Sequence, residues 1–280
     1  MVRLSRPVAL VLAVLIGLTA AGCGGGASSP AASLLSDPGT IVTRSFQRLE
    51  SSATLHVGGA ISGSIDAASV GSLVGGGSLG LSGKIKLDGS SFSGDIDMSK
   101  GAAHIAAAFP SLFGAAADAI LVDGYLYTKI TTPVGPANPL YTKSNAQTSL
   151  LMASPTPGAS VMFADVLKQL EPQVDAAAAS AILLTAGSVD GRAAYHLLVT
   201  VPADVVEQVL GLAGGSFAAD ASVQVAPVDY WVYTDTLAPA GLQLKVTSAT
   251  LGNLSVALTM TGYDRPVAIA APPDGQVGGG

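Results

Sequence analysis

Residues 119–130, AILVDGYLYTKI, restrict the fold more than any other part of this chain. Two short apolar runs flank Asp123-Gly124. A two-residue hairpin loop of type I′ needs φ > 0 at both central residues, and Asp-Gly meets that need at low cost. The turn sets the register, so Val122 opposes Tyr125, Leu121 opposes Leu126, Ile120 opposes Tyr127 and Asp118 opposes Lys129. Because side chains alternate along a strand, Val122, Tyr125, Ile120 and Tyr127 share one face, with the Asp118–Lys129 charge pair at its far end. Leu121, Leu126, Ala119, Thr128 and Ile130 share the other. Both faces are apolar, so the hairpin is expected to be buried centrally or covered on one side by something besides its own chain.

The same two-residue period recurs along the chain. Leu55, Val57, Ile61 and Ile65 alternate with Ser and Gly, and Leu79, Leu81, Ile85 and Leu87 with Gly, Ser and Lys. Phe92, Ile96 and Met98 follow a turn at Asp88-Gly89. Residues 101–117 are rich in alanine. Residues 131–157, rich in Pro, Asn, Ser and Thr, are expected to form a long covering loop. Residues 182–189 and 193–201 around Asp190-Gly191 repeat the strand–turn–strand device, and three strands close the chain near 227–236, 241–251 and 254–262.

Helical spacing appears at three places. Asp37-Pro38 supplies an N-cap and a proline at the first helical position, and Ile41, Val42, Ser45, Phe46 and Leu49 fall on one side. Residues 161–170 group Met162, Phe163, Val166, Leu167 and Leu170. Pro202 opens a helix with the stripe Val205, Val206, Val209 and Leu210, ended by Gly214-Gly215. About eight to ten antiparallel strands with three or four one-sided helices define an α+β protein. The expected form is a curved antiparallel sheet, a half-barrel, with helices on its concave face enclosing an apolar cavity.

The N-terminus fixes the compartment. Arg3 and Arg6 precede an apolar run from Val8 to Leu18 and then small residues, a secretory signal over residues 1–22. The run is shorter than the ~20 residues of a spanning helix. Leu18-Thr19-Ala20-Ala21-Gly22-Cys23 resembles the bacterial lipobox, with Ala20 where that pattern prefers Leu. The resemblance implies a diacylglycerol on Cys23, which becomes the first mature residue, and two acyl chains at ~0.8 kcal/mol per buried CH₂ suffice for stable anchoring. Cys23 is the one cysteine of the chain, so neither a disulfide framework nor a thiolate metal site is available. Residues 23–36 form a flexible tether, followed by a single domain over 37–273 and a Gly-rich tail, 274–280, expected to be disordered. Loss of Arg3 and Arg6 moves the formal charge from −6 to −8. An acidic exported chain with no basic run is not built for nucleic acid.

Catalytic patterns do not survive their context. Gly76-Gly77-Ser78-Leu79-Gly80 fits G-x-S-x-G, but a nucleophile elbow needs a strand, a strained turn and then a helix, and here alternating strand sequence follows. Gly75, Gly77 and Gly80 fit the dinucleotide fingerprint with no βαβ unit around them. His56, His104 and His196 lie far apart in strands, with no carboxylate at metal-ligand spacing. No metal and no cofactor is expected, and the chain is not expected to be an enzyme.

Five stretches, in order, carry a resemblance: the lipobox at Cys23; Asp123-Gly124-Tyr125-Leu126-Tyr127; Phe163-Ala164-Asp165-Val166-Leu167; Val189-Asp190-Gly191 leading to Tyr195-His196-Leu197 and the Pro202 helix; and Pro227-Val228-Asp229-Tyr230-Trp231-Val232 with its two following strands. Over Asp37 to Pro273 the chain resembles the LppX/LprA/LprF/LprG family of mycobacterial cell-envelope lipoproteins, whose fold is similar to that of the LolA/LolB carriers. It departs from the pattern in the Gly-rich residues 71–83, the Ala-rich residues 175–181 and the tail.

The resemblance implies a large apolar cavity between sheet and helices. That cavity would hold acyl chains, palmitate among them, of envelope lipids such as acylated glycolipids, triacylglycerol or phthiocerol dimycocerosates. Candidate lining residues are Leu121, Leu126 and Ile130 from the hairpin, Phe163, Leu167, Val206 and Leu210 from the helices, and Leu244, Val246, Val256 and Leu258 from the last strands. The implied protein is a lipid carrier or chaperone on the outer face of the cell membrane. Its partners are an acylated lipid or glycolipid, the membrane through its diacylglycerol, and an inner-membrane lipid exporter. Composition fits this reading, because 49% of residues are apolar but only 5% aromatic. Interiors pack at about 0.74–0.76 density, so a wide sandwich short of bulky residues either collapses or leaves room. The alternative is a non-enzymatic envelope sensor or assembly scaffold with a closed core.

Overall fold

The first and last of the described strands meet in the middle of one sheet. The protein was analysed as a computed structural model that describes residues 35–66, 83–133, 136, 139–145, 171–201, 224–248 and 252–278. The elements in chain order are α1 (Pro38–Glu50), β1 (Thr54–Asp66), β2 (Lys84–Lys86), β3 (Ser90–Asp97), β4 (Ala102–Phe109), β5 (Ala115–Val122), β6 (Tyr125–Thr131) and β7 (Thr142–Asn145). They continue with α2 (Glu171–Ser180), β8 (Ile182–Leu183), β9 (Gly187–Val189), β10 (Arg192–Val199), β11 (Gln224–Val225), β12 (Val228–Tyr233), β13 (Pro239–Ser248) and β14 (Gly252–Thr261), and a 3-10 turn over Asp274–Gln276 follows. The strand order is β7-β6-β5-β4-β3-β1-β14-β13-β12-β10-β8, with β2 on β1, β9 on β10 and β11 on β13. Neighbouring strands run antiparallel. The sheet is curved and unclosed, the half-barrel expected from the sequence.

The β5–β6 hairpin forms in the expected register, from Val122 opposite Tyr125 to Asp118 opposite Lys129. Asp123 and Gly124 take φ of 52° and 74°, as a type I′ loop demands, and Asp190 and Gly191 repeat this at 51° and 76°. Its surroundings correct the expectation, because the hairpin lies near one end of the sheet rather than centrally. Its second face, Ile120, Val122 and Tyr127, is covered by Tyr141, Ile269 and Val277 of its own chain. Residues 274–278 of the expected tail lie in this covering segment. Tyr141 N donates to Gln276 O at 2.8 Å, and Gly278 N donates to Tyr141 O at 2.9 Å.

Other readings of the sequence change as well. Fourteen strands form among the described residues where eight to ten were counted, because β2, β8, β9 and β11 are only two or three residues long. The Ala-rich residues 101–117 contain β4 and the start of β5, and the expected loop 131–157 contains β7. Residues 175–181, given no element, lie largely in α2. The expected helices at 161–170 and after Pro202 lie outside the described residues, as do the signal segment and the glycine motif at Ser78.

Helix α1 starts as its sequence dictates, with Asp37 accepting from Thr40 N at 2.7 Å and Pro38 in the first turn. Two tyrosines seat it on the sheet. Leu35 N donates to the Tyr195 hydroxyl at 2.8 Å, and the Tyr230 hydroxyl lies 2.8 Å from Ser45 Oγ. Ile41 and Val42 pack with Tyr195, Leu197, Val199 and Val232, and with Val174, Ala177 and Ala178 of α2. Asp264 binds Arg48 at the helix end and accepts from Ala53 N at 2.8 Å, tying helix, first strand and last strand together.

Candidate functional site on the concave face

Alternation within each strand and the register between strands generate cross-strand rows. One row on the concave face runs Leu242, Leu258, Gly59, Phe92, Ala107, Ala117, Ile130. The next runs Met260, Val57, Gly94, Ile105, Ala119, Thr128, and a third Leu55, Ile96, Ala103, Leu121, Leu126. On the other side of the first lies Leu244, Val256, Ile61, Ser90. Most of these apolar side chains belong to one buried cluster, with Leu49 and Phe46 of α1 packed into it. Large and small residues interlock: a Cβ on Gly59 would lie 2.4 Å from the Phe92 ring, and one on Gly94 would lie 2.6 Å from the Ile105 side chain.

Every described residue expected to line a cavity falls in this cluster. Leu121, Leu126, Leu244, Val246, Val256 and Leu258 are buried in it, and Ile130 packs against it partly buried. Phe163, Leu167, Val206, Leu210 and Cys23 lie outside the described residues. Sequence reasoning missed Phe92, Ile105 and Met260 as neighbours of these side chains, although the alternation around Phe92 and Met260 was visible.

Polar groups on the face are few. Among them is Tyr230, whose phenol burial pushes well above the ordinary range, only partly offset by its bond to Ser45. Thr128 is buried, and so is Ser90, whose Oγ has no hydrogen-bond partner.

The charged groups sit on the opposite, convex face. Asp95 faces His56 on one side and His104 on the other, and bonds His56 Nδ1 at 2.8 Å. His104 Nε2 lies 3.0 Å from Asp118 and His196 Nε2 2.8 Å from Asp229, with the His196 ring stacked on Trp231. The histidines read as isolated thus each have an aspartate from a neighbouring strand. The hydrogen bond to Asp118 raises the His104 imidazole above its ordinary value, against the opposing pull of partial burial. Burial pulls Asp118 upward, but His104, Tyr141 and Lys129 together hold it below the usual carboxylate range. Among the described residues no group of three ligating side chains is placed to hold a metal.

Two hollows lined by described residues also open on the convex side. One of about 310 Å³ lies between Ile269–Ala271 and Asp97, Lys100 and Val122. A shallower one of about 630 Å³ lies over Ala106, Ala108 and Ala116, beside Asp118 and Lys129. Neither is on the face where the expected lining residues meet.

The pairing pattern and the apolar rows define a class, the open antiparallel half-barrel with helices on its concave side, which is the layout the sequence resemblance implies. Solved structures similar to this chain include the lipoprotein LppX of Mycobacterium tuberculosis, 14% identical over 83% of this chain and 97% of that one, at a TM-score of 0.46. A LolA superfamily protein of Nitrosomonas europaea is 12% identical over 86% of this chain and 97% of that one, at 0.23. A lipoprotein-sorting protein domain from Vibrio parahaemolyticus is 8% identical over 76% and 87%, at 0.24. No protein-family model matches the chain, and no curated protein matches it.

Proposed function

We propose that this chain is a membrane-anchored envelope protein that takes up acyl chains of lipids or glycolipids on its concave face and shields them from water during transfer. The observation that carries the reading is the extent of that face. Apolar rows continue across β6, β5, β4, β3, β1, β14, β13 and β12 as one buried surface, with Leu49 and Phe46 of α1 packed into it. Each CH₂ withdrawn from water is worth ~0.8 kcal/mol, so binding here needs no charged anchor. The rows carry no carboxylate, amine or imidazole, which favours holding a tail over acting on one. The lipobox resemblance at Cys23 supports attachment to the outer face of the membrane, with loading left to an inner-membrane exporter.

Native mass spectrometry of the full chain carrying Cys23→Ser tests this. Copurified species of lipid mass, displaced by cis-parinaric acid, are the expected result. A ligand-free chain that also fails to bind the probe would remove the carrier reading and leave the closed-core scaffold.

A further inference from the structure

Ser90 is the one buried side-chain polar atom among the described residues that has no hydrogen-bond partner; the residue is 1% exposed. The other buried hydroxyls with assigned bonds show how the fold normally treats them. Ser45 donates to Val42 O, Ser52 to Arg48 O and Thr54 to Arg265 O. A serine next to a turn usually bonds nearby backbone. At Ser90 only the main chain does so, its N donating to Leu87 O at 3.0 Å. Alanine would fill the same space without the penalty of a stranded hydroxyl, so packing does not account for serine here.

The direction of the side chain follows from the register. Ser90 opposes Ile61 and shares its face with Phe92 and Ile96, so it ends the row Leu244, Val256, Ile61 on the concave side. It is the first residue of β3, directly after the Asp88-Gly89 turn. Ser111 Oγ donates to Asp88 O at 2.6 Å, joining this turn to the β4–β5 turn, where Phe113 stands 79% exposed with φ of 57°. From Ser90 to Ile96 the face runs about 20 Å at about 3.3 Å per residue, comparable with an extended long acyl tail.

We propose that Ser90 is a ligand-binding residue whose hydroxyl donates to the ester carbonyl of an acylated lipid. The tail then lies along the rows toward Ile96, Leu121 and Leu126, and the alcohol side of the ester lies at the rim carrying Phe113. This assignment rests on the acyl-binding reading above and adds to it the residue that meets the ester group.

The test compares 1-palmitoylglycerol with 1-O-hexadecylglycerol, which lacks the carbonyl, by displacement of cis-parinaric acid from the full chain carrying Cys23→Ser. The unaltered site is expected to prefer the ester roughly two- to tenfold, the span of one ordinary hydrogen bond. Ser90→Ala should erase the preference and leave affinity for the ether unchanged. Ser90→Thr should retain it while its isostere Ser90→Val loses it, a comparison that stands even if the alanine variant folds poorly. Equal affinity for both probes at the unaltered site, or a preference that persists in Ser90→Ala or Ser90→Val, would overturn the assignment and leave acyl binding intact. Failure of both probes to bind would instead overturn acyl binding itself, and the role of Ser90 with it.

Discussion

Ser45→Ala and Tyr230→Phe break one contact from opposite sides, and the two should not cost the same. Ser45 Oγ donates to Val42 O at 2.8 Å and lies 2.8 Å from the Tyr230 hydroxyl. Its single proton is committed to Val42, so the serine accepts and the tyrosine donates. Tyr230→Phe keeps the ring and leaves Ser45 bonded to Val42, a loss of one neutral hydrogen bond worth about 0.5–1.5 kcal/mol. Ser45→Ala strands the phenol where burial already drives its ionisation far upward. An orphaned buried donor costs about 1–3 kcal/mol. With both changes neither group is stranded, so the double variant should fall near Tyr230→Phe alone, a coupling of the size seen between contacting side chains, about 0.5–3 kcal/mol. Urea unfolding followed by Trp231, the only tryptophan and the neighbour of Tyr230, reads all three variants. The reasoning fails if Tyr230→Phe costs as much as Ser45→Ala, or if the two costs simply add.

Leu121→Trp and Leu126→Trp, in the row with Ile96 and Ala103, should each reduce copurified lipid, and normal loading in both would show that this row does not line the site. His104 is raised by its bond to Asp118, so its contribution is complete below the unfolded value near 6.5 and is lost as pH rises through the higher folded value. The urea midpoint should therefore fall across that window in the unaltered chain and stay flatter in His104→Gln; identical profiles would refute the coupling. Ending the chain at Ala268 removes Ile269 and Val277 from Ile120, Val122 and Tyr127 and should cost about 2–3 kcal/mol. An unchanged urea midpoint would show that the segment only rests on the sheet.

What could be foreseen from the residues depended on the range of the signal. The β5–β6 register follows from two residues, Asp123 and Gly124, and the start of α1 from Asp37 and Pro38, because both signals are local. Strand β4 escaped because alanine on both faces erases the two-residue contrast. It holds its place through partners distant in sequence, Ile105 over Gly94 and Ala107 beside Phe92. Strand β7 and the seated C-terminal segment depend on Tyr141 reaching Gln276 and Gly278, which no nearby residue announces. The histidine–aspartate pairs are separated by 39, 14 and 33 residues and become neighbours only through the sheet. On the concave face, the candidates from β5, β6, β13 and β14 were legible because leucine and valine there alternate with polar residues. Ser90 was not, because an orphaned hydroxyl is a property of its surroundings.

The pairing of β1 with β14 places the earliest of the described strands beside the last of them, ten residue pairs in register. A ribosome that has reached β13 has produced two incomplete half-sheets, each with a bare edge where the other belongs. Joining them closes a loop of nearly the whole chain, a long-range step that comes late and slowly. The trough therefore comes into being all at once with the final strand, and a chain cut short by a dozen residues before Gly262 would have two sticky halves in place of a hold.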